Sequence, residues 1–448
     1  MLEAEEEHIG TPAMVLTFTV RRREPELVGP ASPTPRETKR LSDIDDHETL
    51  RGQVPIMFFY RGGPRAATAD PAGVIRRALG EALVPYYPVA GRLREVEARK
   101  LVVDCTGEGV MFVEADADVR LAELEVAGLT PPFPCAEQLL PDVEGSGGVL
   151  KCPLLLIQVT RLLCGGFVLA LRLNHTICDA IGLVQFISAV AELVRGVPSP
   201  TVAPAWSREL LEARDPPRPS FPHREFDAVP PPSSPFPPPG DMVTRTFTFG
   251  PSEVNAIRKR LPLSLRDTAT TFEVLTAAVW CVRTAALEFS PEEDVWLAFV
   301  CNVRGLPELG LPAGYYGNAV VSAAVLATAG ALLAGSLGDA VELVRQAKAT
   351  VTAEYVRSTA DMLVLRGRPC VVVSNMFVVS DNRRTGFYGV DFGWGVPVFA
   401  GPSSAMLWGS FILAVRNGDG EHAAALPIVL PRPAMDRFAL EVERLVKG

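Results

Sequence analysis

The chain contains no Cys-x-x-Cys pair, and no close grouping of cysteine and histidine has zinc-site spacing. Its eight cysteines stand apart, at positions 105, 135, 152, 164, 178, 281, 301 and 370. No metal site is expected from them. The opening stretch Met1–Gly10 is acidic and lacks a basic region followed by an apolar core. Together these features predict reduced thiols in a cytoplasmic compartment. The last residues, Leu445-Val446-Lys447-Gly448, do not form a Ser-Lys-Leu type address, although a peroxisomal location stays open. A basic stripe is also missing, and the formal net charge is -9, so nucleic acid is not an expected partner. Residues 319–337 carry no charge, yet they are rich in Ala, Gly and Ser and have no basic or aromatic flanks. That predicts a buried strand followed by a small-residue loop, and no membrane span. Several catalytic signatures are absent: G-x-S-x-G, H-E-x-x-H, the phosphate-binding P-loop and the dinucleotide Gly fingerprint.

What remains is a chain of 448 residues with 48% hydrophobic and 21% charged residues, a globular composition. Its length predicts two domains. Proline crowds the stretch from Val197 to Gly240 and rules out helix or central strand there. We therefore expect an N-terminal domain over 1–196, a semi-rigid crossover over 197–240 and a C-terminal domain over 241–448. Strands are expected at 16–20, 54–60, 244–249, 295–305, 371–379, 410–416 and 423–430. Helices are expected at 71–84, 180–196, 251–260, 273–287, 337–360 and from Pro433. Two hairpins are expected: one around the glycines of Cys105–Val110, the other turning at Cys164-Gly165-Gly166. The fold class is mixed α/β, with mixed sheets favoured over a regular parallel winding.

The chemistry concentrates at His175-Thr176-Ile177-Cys178-Asp179. Phe167, Leu169, Leu171 and Leu173 share one parity and line a strand face, so His175 sits where that strand ends. Asp179 stands where a helix begins. A His followed four residues later by Asp is weak alone. Asp179 also suits an N-cap, and His175 also suits a buried, hydrogen-bonded imidazole. Asp391-Phe392-Gly393-Trp394-Gly395 is a second candidate, for which the residues favour a structural turn. Arg304, at another strand end, suits a bidentate pair with Asp179 or Asp391, or a solvent-facing position. Only five histidines occur, and His175 is the one in a strand-to-helix context. Catalysis is expected to use it as a general base, without metal or covalent serine.

The order HTICDA, GYYGNA, DFGWG, with YYPVAGRL upstream, resembles the plant BAHD acyl-CoA-dependent acyltransferases through nearly the whole chain. Stretches such as LSDIDDHETLR and CTGEGVMFVEADADV are similar to its benzyl alcohol O-benzoyltransferase group, which includes leaf-alcohol acetyltransferases. The resemblance implies two chloramphenicol acetyltransferase-like domains joined by a long crossover, a solvent channel between them, and a monomer. It implies acyl-CoA as co-substrate, a small alcohol as acceptor, and no permanently bound cofactor. His175 would take the acceptor proton during direct attack on the thioester. Trp394 is one candidate oxyanion donor, beside a backbone N–H or a hydroxyl. Asp179 would orient the loop by pairing with Arg304, and Asp391, Gly393 and Gly395 would form a structural turn. Benzoyl transfer from benzoyl-CoA to benzyl alcohol is the expected reaction. Acetyl transfer to hexenol or another small alcohol is the alternative, and larger hydroxylated metabolites or amines stay open. From other classes, a non-catalytic acyl-CoA-binding protein and a hydrolase stand against these. Two departures bear on substrate choice: Leu306 stands where many relatives carry a second Arg, and the segment from Gly401 to Phe411 is short.

Overall fold

The computed structural model describes residues 16–63, 69–227, 241–370, 375–417 and 420–447. Two large mixed sheets organise it. The first has seven strands, with Gln53–Tyr60 and Phe167–Asn174 as adjacent antiparallel members. Leu155–Leu162 pairs with Phe167–Asn174 in the expected hairpin, and Val110–Ala117 joins it in parallel. Phe167–Asn174 is buried on both faces. Phe167, Leu169, Leu171 and Leu173 belong to the core that also holds Ile75, Leu79, Phe186 and Ile187 of the helices Pro71–Ala82 and Ala180–Val194. Val168 and Ala170 join a second cluster with Met57, Phe59 and Phe399. Each large side chain so buried stabilises the fold by about 1.5–3 kcal/mol.

The second sheet has six strands, and its interior strand Met376–Asp381 runs parallel to both Asp294–Asn302 and Gly409–Arg416. Here strand periodicity positions the site. Odd-numbered residues such as Leu297, Phe299, Ala323, Val325, Phe377 and Val379 pack in the core with the helix Thr271–Leu287. Even-numbered residues of the same strands face the first sheet.

One strand ignores the linear division of the chain. Phe399–Pro402 pairs antiparallel with Gln53–Tyr60 and closes the edge of the first sheet. The chain leaves the second sheet after Asp381, supplies that strand, and returns at Gly409. Phe399 then packs with Phe59 and Phe133, and Leu413, Val415 and Ala425 of the second sheet share that cluster.

Other expectations need correction. Leu101–Asp104 and Val110–Ala117 do not form a hairpin. The first pairs in a separate three-stranded sheet and the second in the large one. Gly107 and Gly109, at φ 62° and 102°, redirect the chain between them. Val320–Thr328 is a strand, but the helix Ala329–Ala334 follows it in place of a loop, capped by the Thr328 hydroxyl. The expected helix over 337–360 is two helices, Leu337–Ala349 and Ala353–Leu365, the second capped by Thr352. The first strand is Val20–Arg22 and not 16–20. The expected strand start at 371–374 and two residues of the Gly418-Asp419-Gly420 turn lie outside the described residues. So do residues 228–240 of the crossover. Its described part, 197–227, is not a detached spacer, because Arg208, His223 and Glu225 are buried. Among the described residues, no helix is long and apolar enough to cross a membrane.

Candidate active site

His175 follows the last residue of Phe167–Asn174, and its backbone is held from both sides. Its N–H donates to the Gly52 carbonyl at 2.9 Å, and its carbonyl accepts from Asn318 Nδ2 at 2.8 Å. Two residues on, the Ile177 carbonyl accepts from the Arg208 guanidinium at 2.7 Å. Asn318 and Arg208 are themselves anchored on the fully buried Asp45, at 2.7–2.9 Å. The loop is thus fixed while the imidazole reaches a cavity. Nδ1 of that ring is buried and has no hydrogen-bond partner among the described residues.

Asp179 does not touch this imidazole by hydrogen bond. Its Oδ1 accepts from Gly182 N and from Arg304, both at 2.9 Å. Its Oδ2 accepts from Arg304 at 2.7 Å and from Ala319 N at 3.0 Å. A carboxylate has about four acceptor sites, and all are filled. Asp179 is therefore both helix cap and bidentate ion-pair partner. Gly182 allows this: a Cβ there would collide with the Tyr316 carbonyl, and the 314–319 segment needs that close approach. Cys178, inside the same motif, is no nucleophile, because burial pushes its thiol far above the ordinary range.

The cavity that His175 lines has a volume of about 470 Å³. The even-numbered residues Ala298, Val300, Asn302, Val320, Ser322, Ala324, Met376, Val378 and Ser380 form one wall. The short segment after Gly401 supplies Pro402, Ser404, Met406, Trp408 and Phe411. His47 faces it too, with a buried Nδ1 that has no hydrogen-bond partner among the described residues. Burial, followed by the nearby charges of His175, Arg51 and Arg368, holds the His47 imidazole down at about 3, so it is neutral near pH 7. At Val300, Asn302 and Asp381 this cavity meets a wider one of about 1010 Å³, lined by Arg258, Lys348, Arg383, Arg384 and Leu306 among others. Among the described residues, no group of His, Cys, Asp and Glu is arranged to hold a metal ion.

The Asp391 motif is elsewhere. Asp391 Oδ1 accepts from Gly393 N at 2.6 Å and Gly395 N at 2.9 Å, and both glycines have positive φ. Phe392 packs on Tyr60, and Trp394 packs edge-on against Phe167 at 5.5 Å. Tyr60 pairs with Phe167 at the far end of the two strands, whereas Gln53 pairs with Asn174 beside His175. Seven residues of strand separate those ends, roughly 23 Å. Trp394 therefore lies outside the cavity of His175, and this one of the candidate oxyanion donors is not brought to the imidazole. Arg195 also donates to the Asp391 carbonyl.

The sequence alone does not point to His47, Asp45, Arg208, Asn318 or Glu225. Four polar residues in the run Ser42–Asp46 are buried, and nothing in their local pattern distinguishes them from an exposed turn. Asn318 lies inside GYYGNA, where the residues by themselves assign it no role.

A histidine between two mixed sheets, lining a cavity that meets a wider one, defines an acyltransferase when set beside known proteins. Residues 18–445 match the model of the Transferase family. A benzyl alcohol O-benzoyltransferase of Petunia hybrida is 52% identical over 438 residues, covering 97% of this chain and 95% of that protein. One from Nicotiana tabacum is 51% identical over 437 residues, covering 96% and 95%. The crystal structure of vinorine synthase superimposes with a TM-score of 0.72 at 21% identity, covering 95% of this chain and 98% of that one. TRI101 of F. sporotrichioides, complexed with coenzyme A and T-2, gives 0.72 at 15% identity, covering 92% and 98%. The chain belongs to the Transferase family, the BAHD acyltransferases.

Proposed function

We propose that the protein transfers an acyl group from acyl-CoA to a small alcohol, with benzoyl-CoA and benzyl alcohol as the leading pair. The observation that carries this is His175 on the wall of an apolar cavity that opens into a wider, cationic one. The cationic side suits the phosphates of a CoA. Arg384 there is exposed and has no ion-pair partner among the described residues. The 52% identity to the Petunia benzoyltransferase supports the substrate pair.

His175 accepts the proton of the acceptor hydroxyl as its oxygen attacks the thioester carbonyl. The tetrahedral oxyanion needs a donor, and the Trp408 indole and Ser404 hydroxyl belong to the cavity wall. When the C–S bond breaks, the imidazolium returns its proton to the leaving thiolate. Asp179 and Arg304 hold the loop and do not touch substrate. Holding both substrates at once supplies proximity, so no acyl-enzyme is needed. Incubation with benzoyl-CoA and benzyl alcohol is expected to release free thiol and benzyl benzoate in equal amounts. Thiol release with free benzoate and no ester would replace this reading with a hydrolase.

A further inference from the structure

The His175 cavity has two ends, and strand register places both. One end meets the cationic cavity at Val300, Asn302 and Asp381. His175 belongs to that end: the Asn318 side chain that holds its carbonyl lies two residues before Val320, the register partner of Asn302. The other end is four residues away along the strand, roughly 13 Å. There the second sheet presents a row of small residues. Ala324 pairs with Ala298, Ala298 with Val378, and Val378 with Gly409. Such a row leaves room above it, and what occupies that room comes from the chain between the sheets.

That chain is the short segment after Gly401. Ser403 N donates to the Pro55 carbonyl of the first sheet at 3.1 Å, and the Trp408 carbonyl accepts from Val378 N of the second at 3.0 Å. The chain turns tightly as it arrives, with Gly409 N donating to the Met406 carbonyl at 3.3 Å. A segment tied to both sheets over so few residues has little freedom to swing aside. Met406 and Trp408 line the cavity and are half-buried, while Leu407 between them is exposed. Ser404 both lines the cavity and is exposed, so the cavity reaches solvent beside this segment.

The acyl group arrives attached to CoA, through the cationic side. The acceptor needs its own way in, and the opening at Ser404 supplies one. We infer that Trp408, helped by Met406, is a specificity-determining residue that walls off the acceptor end of the cavity and holds the acceptor to single-ring size. This rests on the acyl-transfer reading. The acceptor hydroxyl meets His175 while its apolar body lies towards the indole, so a second fused ring collides with a wall that cannot retreat.

The test measures kcat/KM for benzyl alcohol and for 2-naphthalenemethanol with benzoyl-CoA, in the wild type, Trp408→Ala, Trp408→Phe and Met406→Ala. The wild type is expected to favour benzyl alcohol. Trp408→Ala should raise the ratio of the larger to the smaller alcohol roughly 10- to 100-fold, the range open to a change in pocket size. Trp408→Phe and Met406→Ala remove less volume and should each raise it about three- to tenfold, which decides the matter where Trp408→Ala gives no cooperative melt. Any help the indole N–H gives to the oxyanion applies to both alcohols and divides out of this ratio. With benzyl alcohol as acceptor, the ratio of 2-naphthoyl-CoA to benzoyl-CoA should stay within about threefold of wild type. An unchanged alcohol ratio in folded, active variants would overturn the inference, and so would an equal shift in the acyl ratio, which would give the wall to the acyl group. Both results would leave acyl transfer intact. Absence of ester from every acceptor with the wild type would instead overturn the acyl-transfer reading and this inference with it.

Discussion

At one end of the strand pair Gln53–Tyr60 and Phe167–Asn174 the chain turns through His175; at the other, Asp391–Gly395 caps it. Both loops hold an aspartate that accepts from turn or helix N–H groups. The first loop leaves a side chain facing open space. The second buries its aromatics, with Phe392 0% exposed and Trp394 in the main apolar core. The two motifs therefore differ in what they present: one turns an imidazole toward a cavity, and the other staples a later stretch of chain onto the first sheet.

Substitutions at the two ends sharpen that contrast. The largest effect is expected for His175→Ala: a loss of roughly a thousandfold in thiol release, in the range of general-base contributions. A rate within threefold of wild type would remove His175 as the base. Next is Asp179→Asn, which leaves Arg304 partly buried without its carboxylate. Breaking such a pair costs about 3–5 kcal/mol. A clear fall in melting temperature should accompany roughly a hundredfold loss in activity, and Arg304→Lys should reproduce part of both. At the far end, Asp391→Ala should cost about 1–2 kcal/mol of stability, with kcat per folded molecule within about threefold. Trp394→Phe is expected to be smaller still, within about threefold in kcat. A hundredfold loss in a normally stable Trp394→Phe protein would return the indole to the reaction.

His47 adds a pH readout on the reactive side. Its folded imidazole is held at about 3, below the ordinary value of 6.5, so the unfolded chain binds the proton more readily. Stability from this group is complete above the unfolded value and is lost as pH falls from about 6.5 towards 3. The slope is at most about 1.4 kcal/mol per pH unit. His47→Gln should flatten the acid limb of a melting-temperature profile between pH 6.5 and 4. An unchanged limb would mean that His47 titrates normally.

The sequence carries the strand ending before His175, the helix capped by Asp179 and the mixed sheets, because those features are written in local periodicity and capping chemistry. The Asp179–Arg304 pair is one of the pairings it leaves open. The strand pairings that the sequence misreads or leaves open have one cause. Whether Leu101–Asp104 pairs with Val110–Ala117, or Phe399–Pro402 with Gln53–Tyr60, depends on partners far away in the chain. The Asp45 anchor is illegible for the same reason: its partners Arg208 and Asn318 lie 163 and 273 residues away. Trp394 is misplaced by sequence because membership of a family motif does not bring a side chain to the reacting atoms.

The borrowed strand Phe399–Pro402 has a consequence for how the protein is made. Until it emerges from the ribosome, Gln53–Tyr60 is an open edge, with Ile56–Tyr60 an unbroken apolar run and its backbone groups unpaired on that side. More than 200 residues are synthesised between Asn174 and Phe399. At ~5–20 residues per second that is a wait on the order of ten to forty-five seconds. Over that interval the strand lacks its later partner, and an unpaired edge of this kind is a template for pairing with another chain. A chain cut at the crossover would carry that edge permanently.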